Sequence, residues 1–201
     1  MNSSNGNIVI VILAAGESKR MGTAKQLLPW NRTIMINHII DIARSANPSD
    51  ILVVLGAHRE RIKPKIDSSA TILINENWSD GMGTSIKVAA DYLKHIESTC
   101  GALIMLVDQP LVSLVEISEL KDTFKNNPDK IIVSQYPDGR YGVPAIFSSV
   151  YFEKLSELKG DMGAKEWINS NYNKVIAVDI NQSLVDIDTE EAYNKLYREH
   201  H

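Results

Sequence analysis

The chain contains one cysteine, Cys100, in 201 residues. One thiol allows neither an internal disulfide nor a cysteine-based metal cluster, and a lone cysteine ordinarily serves as a small apolar core residue. Long apolar runs are also missing, and none reaches the roughly 18 residues of a membrane span. The opening MNSSNGN has no basic segment leading into an apolar core, so no secretory leader is expected and the cytoplasm is the expected compartment. Positive charge is not in excess: 21 Lys and Arg stand against 25 Asp and Glu, a net charge of −4. That balance argues against a broad polyanion-binding surface and against nucleic acid as partner, so any phosphate site must be local. Neither GxxxxGK[ST] nor GxGxxG occurs, which sets aside a Walker A loop and leaves a dinucleotide-binding reading weak. His38, His58 and His95 lack the spacing of metal ligands, and no Ser/His/Asp set suggests a nucleophile.

What is present reads as one folded unit spanning 1–201. The hydrophobic content of 44% and charged content of 23% are ordinary for a globular protein. No repeat, low-complexity tract or linker divides the chain. Apolar runs alternate with amphipathic segments. Strands are expected at Ile8–Leu13, Ile51–Leu55, Thr71–Ile74, Ala102–Val107, Ile131–Ser134, Ala145–Phe147 and Val175–Val178. Helices are expected at Ile34–Ala43, Arg59–Ile66 (cut by Pro64), Ser85–Lys94, Leu114–Phe124 behind Ser113, Ser149–Leu155, Ala164–Ser170 and Thr189–Tyr197. This alternation implies an α/β fold, a mostly parallel three-layer sheet of Rossmann-like type. Ligands of such sheets sit beyond the carboxyl ends of strands where the strand order reverses.

The most informative stretch is LAAGESKRMGTAKQLL, Leu13 to Leu28, directly after the first strand. Gly16 and Gly22 let backbone amides approach a ligand, and amides in a turn form an anion-binding concavity. Arg20 and Lys25 add positive charge at a spacing that can face one polyphosphate. Asp108 ends the apolar run Leu103–Val107, where a carboxylate is costly unless paired or bound to metal. Mg²⁺ takes oxygen ligands and keeps phosphates and water in its shell, so Asp108 is the first candidate metal ligand. Val185–Thr189 offers two more carboxylates, Asp186 and Asp188, of which only one is expected to face the site. The spacing of Asp188 and Glu191 also fits a capping box opening the last helix. The segment Asn77–Ile86 places Gly81, Met82, Gly83, Thr84 and Ser85 at the start of a helix, where amides and hydroxyls favour an anion or a nucleobase edge. Asp138–Gly139 marks a turn.

LAAGESKRMGTAKQLL resembles the signature loop LAAGxSxRMGxxKxLL of the MobA-like nucleotidyltransferases of molybdenum-cofactor synthesis, and is most similar to their cytidylyltransferases. The segments NWSDGMGTSI, VDQPLV, GRYGVPAIF with GDMGAK, and DIDTEEAY resemble the same family in the same order, so the likeness covers nearly the whole chain. It implies a GT-A-like nucleotidyltransferase that moves CMP from CTP to molybdopterin with release of pyrophosphate, with Mg²⁺ as cofactor. It implies Leu13, Ala14, Ala15, Gly16, Gly22, Lys25, Gly81, Met82, Ser85 and Asp108 for the nucleotide. Lys25 would hold the α-phosphate region and Arg20 the leaving pyrophosphate. Asp108 and Asp188 would bind the metal, with Asp186 the alternative to Asp188. Gly142, Pro144, Gly160, Asp161, Gly163 and Lys165 would face the phosphorylated acceptor, Lys165 standing where the family has Arg. Ala15 resembles the cytidylyl branch, since guanylyl relatives tend to have Gly there. Two alternatives stand beside this reading: a guanylyl or sugar-phosphate nucleotidyltransferase, and a non-catalytic accessory protein handing cofactor to a molybdenum hydroxylase apoenzyme.

Overall fold

Strand β1, Asn7–Ala14, is buried from Ile8 onward on both of its faces. An unbroken apolar run is what a central strand covered on both sides requires. In the computed structural model, which describes residues 7–66, 69–160, 167–168, 170–180 and 184–201, β1 lies inside a seven-stranded sheet. A small hairpin, β2 (Pro29–Trp30) and β3 (Thr33–Ile34), stands apart from that sheet. The remaining strands are β4 (Ile51–Leu55), β5 (Thr71–Ile74), β6 (Thr99–Leu106), β7 (Ile131–Gln135), β8 (Tyr141–Ser148) and β9 (Val175–Asp179). Their order is β5-β4-β1-β6-β8-β7-β9.

Strand β1 pairs in parallel with β4 and with β6. The chain runs outward from β1 through β4 and β5, then returns on the other side as β6. The strand order therefore reverses between β1 and β6, and a crevice opens there beyond their carboxyl ends. Strand β8 is antiparallel to both β6 and β7. Val133 pairs with Ala145 and Ser134 with Gly142, so β8 bulges at Val143 and Pro144. A bulge frees main-chain groups from the ladder and re-aims the residues it contains.

Two apolar layers cover the sheet. Ile8, Ile10, Ile12 and Ala14 pack on α1 (Met35–Ser45), α4 (Leu114–Asn126) and α6 (Glu190–His200). Val9, Val11 and Leu13 pack on α3 (Met82–Leu93) and α5 (Phe152–Leu155). The period-two alternation of a strand divides its side chains between these layers. The short α2, Arg59–Ile62, gives way to a 3₁₀ turn whose first residues include Pro64, the break expected there. No helix among the described residues is long and apolar enough to cross a membrane.

The expected bounds of β4 and β5 are those observed. Helix α3 begins three residues earlier than expected, at Met82, because Gly81 adopts φ 117° and ends the preceding turn. Strand β8 is longer than the expected Ala145–Phe147. The β2–β3 hairpin and the 3₁₀ turns Lys19–Met21 and Lys25–Leu27 have no counterpart in the sequence reading. Most of the helix expected over 164–170 lies outside the described residues.

Ser113 caps α4. Its hydroxyl accepts from the Val115 amide at 3.2 Å and its own amide donates to Glu116 at 2.9 Å, a reciprocal capping box. Ser113→Ala is expected to destabilise the fold by about 1 kcal/mol, read as a lower urea midpoint with unchanged m-value.

Candidate active site

The loop after β1 is shaped by local hydrogen bonds. Ser18 (φ 59°) and Gly22 (φ 63°) are left-handed and bracket the first 3₁₀ turn. The Ser18 carbonyl accepts from the Met21 amide at 2.9 Å, and the Ser18 hydroxyl accepts from the Lys25 amide at 3.3 Å. Gln26, fully buried, donates from Nε2 to the carbonyls of Ala14 (2.8 Å) and Gly16 (3.0 Å). This side chain fastens the far end of the loop to its start. Lys25, one residue before, is thereby turned toward β6.

Lys25 Nζ lies 2.5 Å from Asp108 Oδ2, 3.5 Å from Asp188 Oδ1 and 3.4 Å from the Ile187 carbonyl. The side chains of Lys25 and Asp108 are only 13% and 14% exposed, so this is a largely desolvated pair. Arg20 Nη2 reaches Asp188 Oδ2 at 2.9 Å from a far more exposed position. Residues separated by over 160 positions thus converge at the end of β6. The Ile187 amide donates to the Asp108 carbonyl at 2.9 Å and brings the C-terminal segment there.

The arrangement suits a divalent cation. Asp108 Oδ1 is buried without a hydrogen-bond partner. A buried carboxylate oxygen with nothing to accept from is expensive, and a hard cation satisfies it. An ammonium already stands between Asp108 and Asp188. Asp188 is not consumed by helix capping: α6 is capped by Thr189, whose hydroxyl accepts from the Ala192 amide at 3.1 Å. The expected Asp188–Glu191 capping box is therefore replaced by a cap one residue later.

The expectation that only one of Asp186 and Asp188 would face this region is also corrected. Residues two apart in an extended chain lie on the same side. Ile187 points into the core between them, and Asp186 Oδ1 accepts from Gln109 Nε2 at 2.9 Å. Although Asp186 keeps an open side, loss of water on its inner side raises its pKa. The Gln109 hydrogen bond opposes that shift, and the charges of Asp108 and Asp188 add to it.

Between the loop, α3 and β6 lies a cleft of about 250 Å³. Of the ten nucleotide-side candidates, all line it except Gly22, which is a turn residue set outside. Trp78 forms a wall. Gly56 makes room for it, since a Cβ at Gly56 would lie 2.4 Å from Trp78 Cβ and 2.9 Å from the Ala15 carbonyl oxygen. The hydroxyls expected to greet a ligand are partly engaged. Buried Asn75 donates to Thr84 Oγ1 at 2.8 Å and to Ser85 Oγ at 2.9 Å. Thr84 also donates to main-chain carbonyls of Gly81 and Asn77, so it closes the turn instead of facing a ligand. Ser85 accepts from Asn75 and keeps its own proton to offer the cleft.

Of the residues expected to face an acceptor, Gly142 lies under the Tyr136 ring, where a Cβ would stand 2.9 Å from Cε2. Pro144 is buried, and its carbonyl accepts from the Ser134 hydroxyl at 2.5 Å. Gly160 (φ 57°) accepts from the Gly83 amide at 3.1 Å, joining this side to the start of α3. Asp161, Gly163 and Lys165 lie outside the described residues. Gln26, Gln109 and Tyr136 did not emerge from the sequence as site residues. The one signal for the two glutamines was an amide directly following a candidate charged residue. Burial drives the Tyr136 hydroxyl pKa up to about 12, so it remains a donor at neutral pH.

A family model described as the MobA-like NTP transferase domain matches residues 10–175. The chain belongs to this family. Nicotine blue oxidoreductase of Paenarthrobacter nicotinovorans is 27% identical over 92% of this chain and 94% of its own length. Purine catabolism protein PucB of Bacillus subtilis is 27% identical over 95% and 96%. A probable molybdenum cofactor guanylyltransferase of Rhodopirellula baltica is 30% identical over 64% of this chain and 61% of its own. Among solved structures, Rv0371c of Mycobacterium tuberculosis superposes with a TM-score of 0.84 at 29% identity, covering 97% of this chain and 100% of that one. A second structure of Rv0371c is a complex with manganese.

Gly56→Ala forces Trp78 and the Ala15 carbonyl apart. It is expected to cost about 1–3 kcal/mol by chemical denaturation and to weaken nucleoside triphosphate binding in the same protein.

Proposed function

We propose that this MobA-like protein is a cytidylyltransferase that moves CMP from CTP to a molybdopterin-type phosphorylated acceptor in the presence of Mg²⁺. The observation that carries the reading is the convergence of Lys25, Arg20, Asp108 and Asp188 at the β1/β6 reversal, beside the cleft lined by the loop after β1. An acceptor phosphate oxygen attacks the α-phosphorus of CTP. The bond from that phosphorus to the bridging oxygen breaks, and pyrophosphate leaves with the electron pair. A phosphate monoester is already a competent nucleophile, so the protein's task is alignment and charge neutralisation.

Lys25, paired with Asp108 in this structure, would turn its ammonium to the α-phosphate. Arg20 and the loop amides meet the leaving pyrophosphate. Asp108 and Asp188 would hold the Mg²⁺, which would supply Lewis-acid stabilisation of charge on the phosphoryl oxygens. The manganese complex of Rv0371c supports a divalent ion in this family. The oxidoreductase name of one relative belongs to that protein. Here the buried carboxylate and its lysine favour phosphoryl chemistry, and a carrier that only binds has no need of them.

The cytidine choice rests on Ala15, whose methyl narrows the cleft beside the base. The Rhodopirellula relative favours a guanylyl alternative. Calorimetric titration with CTP, GTP, ATP and UTP, with and without Mg²⁺, separates the two. Mg²⁺-dependent binding of CTP alone is the expected result, and a preference for GTP overturns the Ala15 argument. Asp108→Asn is expected to lower pyrophosphate release by at least about a hundredfold while leaving the circular dichroism spectrum unchanged. Retained metal-dependent turnover in that variant removes Asp108 from the mechanism.

A further inference from the structure

The side chain that follows Asp108 stands between the acceptor strand and the carboxylates. Gln109 is buried, and its Nε2 has three acceptors around it: Asp186 Oδ1 at 2.9 Å, Tyr136 Oη at 2.8 Å and the Val143 carbonyl at 3.4 Å. A carboxamide nitrogen carries two protons. The two short contacts take them, and Tyr136 passes its own hydroxyl proton to the Val143 carbonyl at 2.9 Å. Every donor in this chain has one acceptor, and the direction runs from Gln109 to β8. This orientation turns Nε2 to Asp186 and Tyr136 and leaves Oε1 buried without a partner among the described residues, whereas a flipped Gln109 would set its oxygen against a carboxylate and a carbonyl.

The bulge in β8 makes the chain possible. Val143 and Pro144 are released from pairing with β7, and their carbonyls are taken by Tyr136 and Ser134. The Tyr136 ring is seated on Gly142, where any side chain would collide with it. Asp186 is therefore held by a neutral amide whose position is set by the acceptor strand. Asp188, two residues on, is ion-paired with Arg20 and Lys25.

We propose that Gln109 and Tyr136 are positioning residues that keep Asp186 out of the metal's coordination shell and so select Asp188 as the partner of Asp108. The inference rests on the metal role given to Asp108 and Asp188 above, and not on the identity of the nucleotide. Without the Gln109 amide, a third carboxylate two residues from Asp188 competes for the ion. Ion geometry is then no longer tied to the strand that carries Gly142 and Pro144.

The test is Mn²⁺ titration of the full chain, with free Mn²⁺ followed by electron paramagnetic resonance. Asp188→Asn is expected to weaken Mn²⁺ binding by about tenfold or more, and Asp186→Asn to change it by less than about threefold. In a Gln109→Met background the same Asp186→Asn exchange is expected to shift Mn²⁺ affinity by about tenfold, a coupling that simple loss of stability does not produce. Tyr136→Phe, which preserves shape, should show the same coupling at smaller size. Equal losses for Asp186→Asn and Asp188→Asn in the otherwise unaltered protein overturn the proposal. So does additivity in both the Gln109→Met and the Tyr136→Phe backgrounds, or a lack of Mn²⁺ binding by the unaltered protein. If the Mn²⁺ pattern holds and CMP transfer fails, the nucleotide reading falls and the positioning inference stands.

Discussion

The contact on which the site depends is the ion pair between Lys25 and Asp108 at the end of β6. Placing two charges where the chain is otherwise apolar carries a desolvation penalty that their attraction barely repays. An apolar pair of similar volume would serve the fold as well or better. Their presence has to be supported by other groups, and the surrounding structure supplies that support. Two left-handed residues and a buried glutamine shape the loop that aims Lys25. The Ile187 carbonyl and Asp188 add negative charge from the far end of the chain. One oxygen of Asp108 is still left without a partner. The site is thus a place where stability is conceded to hold charge ready for a phosphate-bearing ligand.

The legible part of the molecule was set by local patterning. An unbroken apolar run marked β1, and an aspartate ending a second apolar run marked the tip of β6. Their parallel pairing on either side of a reversal then followed from the strand–helix alternation. What stayed hidden depends on tertiary neighbours. Gln26 and Gln109 look like surface residues until their amides are seen buried against carbonyls and a carboxylate. Asp188 fits a capping box by spacing, yet Thr189 has the extended backbone and the hydroxyl in reach of Ala192, so the cap sits one residue later. Thr84 resembles a ligand-facing hydroxyl, but its short side chain folds back on its own turn. The antiparallel course of β8 follows from the Asp138–Gly139 turn, which sends the chain back beside β7, whereas the bulge at Val143 and Pro144 is seen only in the pairing of the two strands. Tyr136, at the foot of that turn, acquires meaning only once Gly142 lies beneath it.

The two sides of the site are also less separate than their distance in sequence implies. The Gly160 carbonyl accepts from the Gly83 amide at the start of α3, so the segment after α5 helps to order one wall of the cleft. The Val143 carbonyl, through Tyr136 and Gln109, meets the carboxylate segment from the opposite direction. Glycines stand where an aromatic side chain packs directly on the main chain: Gly56 beneath Trp78 and Gly142 beneath Tyr136.

The hydrogen bond from Ile187 to Asp108 has a temporal side. During synthesis the loop after β1 is made before β6, and the central strands can begin to pair well before Asp188 is made. The second carboxylate does not exist until residue 188 has emerged. A nascent chain therefore carries a lysine and an aspartate placed at the β1/β6 reversal before the carboxylate of Asp188 stands beside them. The three charged side chains meet only once the segment holding Ile187 and Asp188 has followed β9 out and docked on Asp108.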